Sequence, residues 1–159
     1  MAKAIPDGFN TLTPHIIVQD AAKALDFYKN AFGAQVTTRH MSPDGRAVMH
    51  AQLKIGNSML MVANEFPPMC VSPKARGGTS VTLHLYVENV DAVFDRAVKA
   101  GCTVKMPVMD QFWGDRYGQL EDPFGHLWSI GTHKQDLTEQ QIAENAKAAF
   151  AKMEQHAAA

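Results

Sequence analysis

Hydrophobic and polar positions alternate over residues 13–18, and the stretch is rich in β-branched residues, so it reads as a strand. The pattern then changes period. Ala21, Ala22, Leu25, Tyr28 and Phe32 recur at helical spacing behind Asp20, a good N-cap, and Gly33 ends the run as a C′ residue would. Strands are predicted at 34–40, 46–55 and 58–63, separated by the Pro43-Asp44-Gly45 turn and by Gly56-Asn57. Together these give one βαβββ unit.

The same order returns further along. A strand over 81–87 leads to a helix capped at Asn89 and stopped at Gly101. Strands follow at 103–106, 116–121 and 126–131, the last two joined through Asp122-Pro123-Phe124-Gly125. His15 falls on His84, Val18 on Val87, Asp20 on Asn89 and Asp26 on Asp95, an offset of 84 − 15 = 69. The offset drops to 68 for Gly33 on Gly101 and Val36 on Val104, and Gly56 on Gly125 returns it to 69. An internal repeat of this kind fixes the architecture before any finer reading. One domain is expected, with module one at about 10–63, a linker at 64–79, module two at about 80–133 and a helical tail at 138–154. The linker holds Pro67, Pro68, Pro73, Gly77 and Gly78 and reads as a loop. In the tail, Thr138 and Gln141 form a capping box, and Ile142, Ala146, Ala149 and Phe150 make a thin apolar stripe suited to an arm packed on the domain or on a partner.

Each strand has two unlike faces. Ile16 and Val18 oppose Thr13, His15 and Ile17. Met49, Ala51, Leu53 and Ile55 oppose Val48, His50, Gln52 and Lys54. Leu83, Leu85 and Val87 oppose Thr82, His84 and Tyr86, and Trp128 and Ile130 oppose Leu127 and Ser129. The apolar faces need cover, which one amphipathic helix per module supplies. The other faces either show a polar surface to water or curve together to line a cavity. Their imidazoles, tyrosine and mixed apolar residues suit a ligand pocket, and a solvated face would be richer in Lys and Glu.

Composition narrows the classes. With 46% hydrophobic and 19% charged residues the chain is ordinary globular material, and a net charge of −1 gives no field for nucleic acid or an anionic membrane. No apolar run approaches the roughly 20 residues that span a bilayer, and Met1–Pro6 lacks the apolar core of a signal peptide. Cys70 and Cys102 are far apart and read as reduced thiols, so a cytoplasmic location is expected. No serine or cysteine triad, phosphate loop or zinc-finger spacing is found.

The tandem βαβββ layout, the Asp122-Pro123-Phe124-Gly125 turn, and Phe27-Tyr28 through Phe32-Gly33 after the capping Asp20 resemble the vicinal oxygen chelate superfamily, which includes glyoxalase I, extradiol dioxygenases, fosfomycin-modifying enzymes and bleomycin-binding proteins. Met49-His50-Ala51, Ile55-Gly56-Asn57-Ser58, Leu83-His84-Leu85-Tyr86-Val87 and the run from Phe112 to Gly118 are similar to its PhnB-like branch. The resemblance covers about residues 10–135. It implies an α+β fold of two tandem βαβββ modules forming a curved mixed sheet, with helices outside and a C-terminal helix added.

Metal-dependent members carry His or Glu at four positions. Carried over, these fall on Thr13, Met61, Thr82 and Ser129, none a good ligand for Zn, Ni, Mn or Fe. No cofactor is therefore expected, and a divalent metal only at a displaced site built from His15, His84 and His50. The resemblance also puts Gln119 on the ligand face, and the modules relate His50 and Gln52 to Tyr117 and Gln119. Thr13, His50, Gln52, Met61, Thr82, Trp113, Arg116, Tyr117, Gln119 and Ser129 are the expected pocket residues. Trp113 is a lid or core residue, and Arg116 holds an anion or pairs with Asp115 or Asp122. His126 and His133, which follow turns, are expected to be exposed. His15 and His84 are the candidate general bases. Three functions follow: a small-molecule binder without metal, a lyase or isomerase using a pocket histidine, or a glyoxalase-like or dioxygenase-like enzyme with the displaced site. A homodimer is expected as partner, with no nucleic acid and no membrane.

Overall fold

The computed structural model describes residues 2–157. Module one contains β1 (His15–Val18), α1 (Ala21–Phe32), β2 (Gln35–Met41), β3 (Val48–Ile55) and β4 (Ser58–Asn64). A short helix, α2 (Pro73–Arg76), interrupts the linker. It is capped by the Ser72 side chain and starts on a proline, whose missing N–H is no loss at that position. Module two contains β5 (Thr82–Tyr86), α3 (Val90–Ala100), β6 (Thr103–Asp110), β7 (Asp115–Glu121) and β8 (Leu127–His133), and α4 (Glu139–Ala157) ends the described chain.

Each module is a separate four-stranded mixed sheet, ordered β1-β4-β3-β2 and β5-β8-β7-β6. In both, the first strand runs parallel to the fourth and the remaining pairs are antiparallel. The fold is the expected α+β arrangement. The caps hold as read: Asp20 accepts from Lys23 N, Asn89 from Ala92 N, and Gly33 turns left-handed at φ 68°. Thr138 and Gln141 cap α4 reciprocally.

Besides α2 in the linker that reads as a loop, three details depart from the sequence pattern. β1 begins at His15, because Pro14 has no N–H and the Thr13 hydroxyl turns back to Asn10 O at 2.8 Å. Register slips between His40 and Met41, so Val48 is buried and Met49 exposed, the reverse of strict alternation. β6 runs on through Pro107 to Asp110, which an edge strand with irregular pairing tolerates.

One core joins the modules. α1 packs against α3, and Tyr28, Phe32, Leu53, Val62, Phe94, Leu120, Trp128 and Ile130 are all buried in it. Tyr28 of module one donates to Asp122 of module two at 2.7 Å, and Arg96 Nε donates to Ala31 O at 2.8 Å. Asp122 also accepts from Trp128 Nε1 and from the backbone N–H groups of Phe124 and His126. No helix among the described residues is long and apolar enough to cross a membrane.

Candidate functional site

Strand register places equivalent rows across the two outer faces. In module one, His15 stands opposite Met61, Met61 opposite Gln52, and Gln52 opposite Thr38. In module two, His84 stands opposite Ser129, Ser129 opposite Gln119, and Gln119 opposite Met106. The sequence pairing of His15 with His84 and of Gln52 with Gln119 is thus a true structural equivalence.

The second row is the more organised. His84 Nδ1 and Ser129 Oγ lie 2.7 Å apart, and Ser129 is buried. Gln119 Nε2 donates to the Tyr117 hydroxyl at 2.8 Å. The His84 ring stacks on Tyr117 with centroids 5.8 Å apart and meets Tyr86 edge-on at 4.4 Å. Gly131 makes room for this ring, since a Cβ there would stand 3.3 Å from His84 Cε1. Burial holds the His84 imidazole below its ordinary value, against the opposing pull of Asp115. His84 is therefore mostly neutral at pH 7. In the first row, His15 meets the His50 ring edge-on at 5.6 Å, and burial followed by the nearby His50 holds His15 low as well.

His15 and His84 line different cavities. His15 lines a cavity of about 540 Å³ with Ile17, Met49, Ala63, Phe66 and Cys70. His84 lines another of about 520 Å³ with Leu12, Ile55, Met59, Leu83 and Trp128. Gln119 borders a third, about 570 Å³, with Lys74, Lys105 and Glu121. The sheets are separate, but cavities run between the modules: His15 also borders one of about 490 Å³ with Val81 and Leu83, and the His84 cavity has Leu12, Ile55 and Met59 of module one in its wall.

The other expected residues are placed as follows. Thr82 is exposed and pairs with Leu127. Arg116 is held by Asp91 through two bonds of 2.7 and 2.8 Å and by Asp110 at 3.2 Å, not by Asp115 or Asp122, so its donors are already engaged. Trp113 is half-buried and donates its indole N–H to Asp115. His126, expected at the surface, is buried with Nε2 3.0 Å from Ile17 O. His133 is half-exposed, but carboxylates flank both its ring nitrogens.

The four metal positions of the family hold two threonines, a thioether and a serine, and the Ser129 hydroxyl is already bonded to His84. Among the described residues no three His, Cys, Asp or Glu side chains gather closely enough to hold a metal ion, and His15, His50 and His84 do not form such a set. The donor chemistry does not fit the family's metal.

Sequence reasoning missed Asp115. Its buried carboxylate accepts from Tyr86 and Trp113 and faces His133. The signal was in the repeat. The offset of 117 − 50 = 67 that puts Tyr117 on His50 puts Asp115 on Val48, a buried apolar position.

Known proteins share this architecture. The chain is 46% identical over 135 residues to an uncharacterised protein of Mycobacterium bovis, covering 82% of this chain and 88% of that one. TioX from Micromonospora sp. ML1 superposes with a TM-score of 0.64 at 29% identity, covering 78% of this chain and 98% of TioX. The fosfomycin resistance protein FosX from Listeria monocytogenes, solved with Mn(II) and sulfate, superposes with a TM-score of 0.61 at 16% identity, covering 83% and 95%, a likeness of fold alone. The profile of the Glyoxalase/Bleomycin resistance protein/Dioxygenase superfamily matches residues 8–130. With most of the chain matched by that profile, and both βαβββ modules folded as it requires, the protein belongs to the glyoxalase/bleomycin resistance protein/dioxygenase superfamily.

Proposed function

We propose that the protein binds a small amphipathic organic molecule on the outer faces of its sheets, without a metal ion of the family's kind. The observation that carries this reading is the row His84–Ser129–Gln119 with Tyr117 stacked on His84. It combines aromatic surface with a few fixed polar groups, the make-up of a ligand site, and its Ser129 stands at a position where a metal-dependent relative would need carboxylate or imidazole. A homodimer belongs to the same proposal. Met49, Phe66, Met69 and Tyr86 are exposed around these faces, and a second copy would bring a His15 row against a His84 row and enclose both. Fluorescence titration with anilinonaphthalene sulfonate, an aromatic amphiphile, tests the site. Saturable binding weakened in His84→Ala and Gln119→Ala supports it, and binding indifferent to both substitutions overturns it. A monomeric mass in solution at micromolar concentration overturns the dimer.

One observation favours a second reading, a lyase or isomerase. The neutral His84 has Nδ1 tied to Ser129, and when that nitrogen donates, Nε2 is left as a base near neutral pH. A pH–rate profile whose limb disappears in His84→Ala supports it. Saturable binding without turnover of any bound compound supports the first.

A further inference from the structure

The repeat provides an internal control for the second sheet. Where module one buries Val48, module two buries Asp115. Burying a carboxylate costs far more than burying a valine unless every oxygen is bonded. Departures of this kind from the local rule gather at functional positions. Here every oxygen is bonded. Oδ2 accepts from the Tyr86 hydroxyl at 3.0 Å and from Trp113 Nε1 at 3.1 Å, while Oδ1 lies 2.8 Å from His133 Nδ1. His133 Nε2 lies 2.9 Å from Asp136 Oδ1. An imidazole that meets carboxylate oxygens with both nitrogens satisfies both only as the imidazolium.

The two rings anchored on Oδ2 are the ones that frame the candidate site. Tyr86 meets His84 edge-on at 4.4 Å, Trp113 meets Tyr117 edge-on at 5.5 Å, and Tyr117 stacks on His84. In module one the equivalent position, Val48, borders a cavity shared by the apolar Ile17, Ala63 and Phe66 and the polar His15, Asn64 and Glu65. The second module has therefore put a charged, fully bonded side chain where its sister buries a valine.

We infer that Asp115 is a positioning residue for the ligand face, clamping Tyr86 and Trp113 against His84 and Tyr117, with the His133 imidazolium as its counter-charge. This rests on the reading of that face as ligand-binding.

The charged and titratable groups around the clamp are few. His133 faces Asp115 from β7 and Asp136 from the segment after β8. Asp115 faces His133, Tyr86 from β5 and, more distantly, His84. Arg116, next along β7, is turned to Asp91 and Asp110. Burial alone would push the Asp115 carboxyl up, but the bonds from His133, Tyr86 and Trp113 outweigh it and hold the group below the ordinary carboxylate value. Asp136 first and Asp115 next raise His133 above its ordinary value. A raised histidine contributes fully below its unfolded value of about 6.5, and its contribution is lost as pH rises through the folded value. The clamp therefore loosens toward alkaline pH.

The test joins two readouts. One is the Trp113 indole N–H resonance, assigned with Trp113→Phe; the other is the affinity for anilinonaphthalene sulfonate, each followed across pH. In the wild type the resonance should move with the His133 titration, and dye affinity should fall roughly threefold to tenfold above it. Asp115→Asn, nearly isosteric, should lose both pH responses and bind the dye weakly throughout. His133→Gln, a change at a half-exposed side chain, should flatten the responses even if the buried substitution does not fold. Wild-type dye affinity and an unmoved indole resonance in Asp115→Asn, or an unchanged pH response in His133→Gln, would overturn the inference. His84→Ala separates the two levels. If it weakens dye binding while Asp115→Asn does not, the clamp fails and the ligand face stands. If neither weakens it, the ligand face falls and the clamp with it.

Discussion

Replacing Tyr28 by phenylalanine removes one oxygen from the centre of the molecule and leaves the ring in place. The ring is buried among Phe27, Phe32, Phe124 and Trp128, so packing should survive the change. What is lost is the 2.7 Å bond from its hydroxyl to Asp122, which spans the two modules. A hydrogen bond to a carboxylate contributes about 1.5–3 kcal/mol. Asp122 keeps Trp128 Nε1 and two backbone donors, so the remaining carboxylate is not orphaned and the loss should stay in that range. At about 2–4 °C per kcal/mol for a chain of this size, Tm should fall by roughly 3–12 °C. Urea unfolding followed by circular dichroism should give a lower midpoint with an unchanged slope. A double-mutant cycle with Asp122→Asn isolates the pair. A loss below about 0.5 kcal/mol, or no coupling in the cycle, would refute the view that this bond ties the modules together. Burial pushes the Tyr28 phenol well above its ordinary value, with Asp122 adding to the shift. Alkaline titration should accordingly leave this tyrosine protonated until the protein unfolds.

Other consequences are simpler. A Cβ at Gly118 would lie 2.7 Å from Phe94 Cε2 and 3.0 Å from Val108 Cγ2, so Gly118→Ala should cost about 1–3 kcal/mol in chemical denaturation and disturb the adjoining Tyr117 and Gln119; a neutral result would mean that α3 yields easily. Burial pushes the Cys102 thiol up to about 12, so a disulfide reagent at pH 8 should titrate only Cys70 until denaturant is added; two fast-reacting thiols would contradict the structure. Metal content by mass spectrometry, after incubation with Zn, Ni, Mn and Fe(II), should stay far below one per chain and be unchanged in a His15→Ala, His84→Ala double variant. Near-stoichiometric metal lost in that variant would restore the displaced site.

The repeat was legible because its signals are local. Asp20 and Asn89 as caps, the glycine stops and the strand alternation act within a few residues of themselves. The rows of the outer faces were legible for the same reason, since the offsets carried His15 onto His84 and Gln52 onto Gln119. What failed was long-range or irregular. Arg116 was assigned neighbours in sequence, but the guanidinium reaches Asp91 on the preceding helix and Asp110 across the edge strand. His126 looked exposed after a turn, yet the turn is pressed against β1, where Ile17 O waits. The parity of Val48 and Met49 depends on a one-residue slip that alternation does not report. How two modules dock is decided by Tyr28, Asp122, Arg96 and the shared core, which no local pattern announces.

The turn that carries Asp122 has one more consequence. In module one, four residues separate the paired Lys54 and Met59, and in module two, five separate the equivalent Glu121 and Leu127. That added residue lets the second hairpin fold back on itself and offer a carboxylate to the helix of the first. The position equivalent to Arg96 in the first helix is Phe27, which has no donor to offer in return. The join between the modules is thus directional, like a plug and a socket. A chain made from two copies of module one would have matching cores but no fastening, and should behave as two loosely tethered halves.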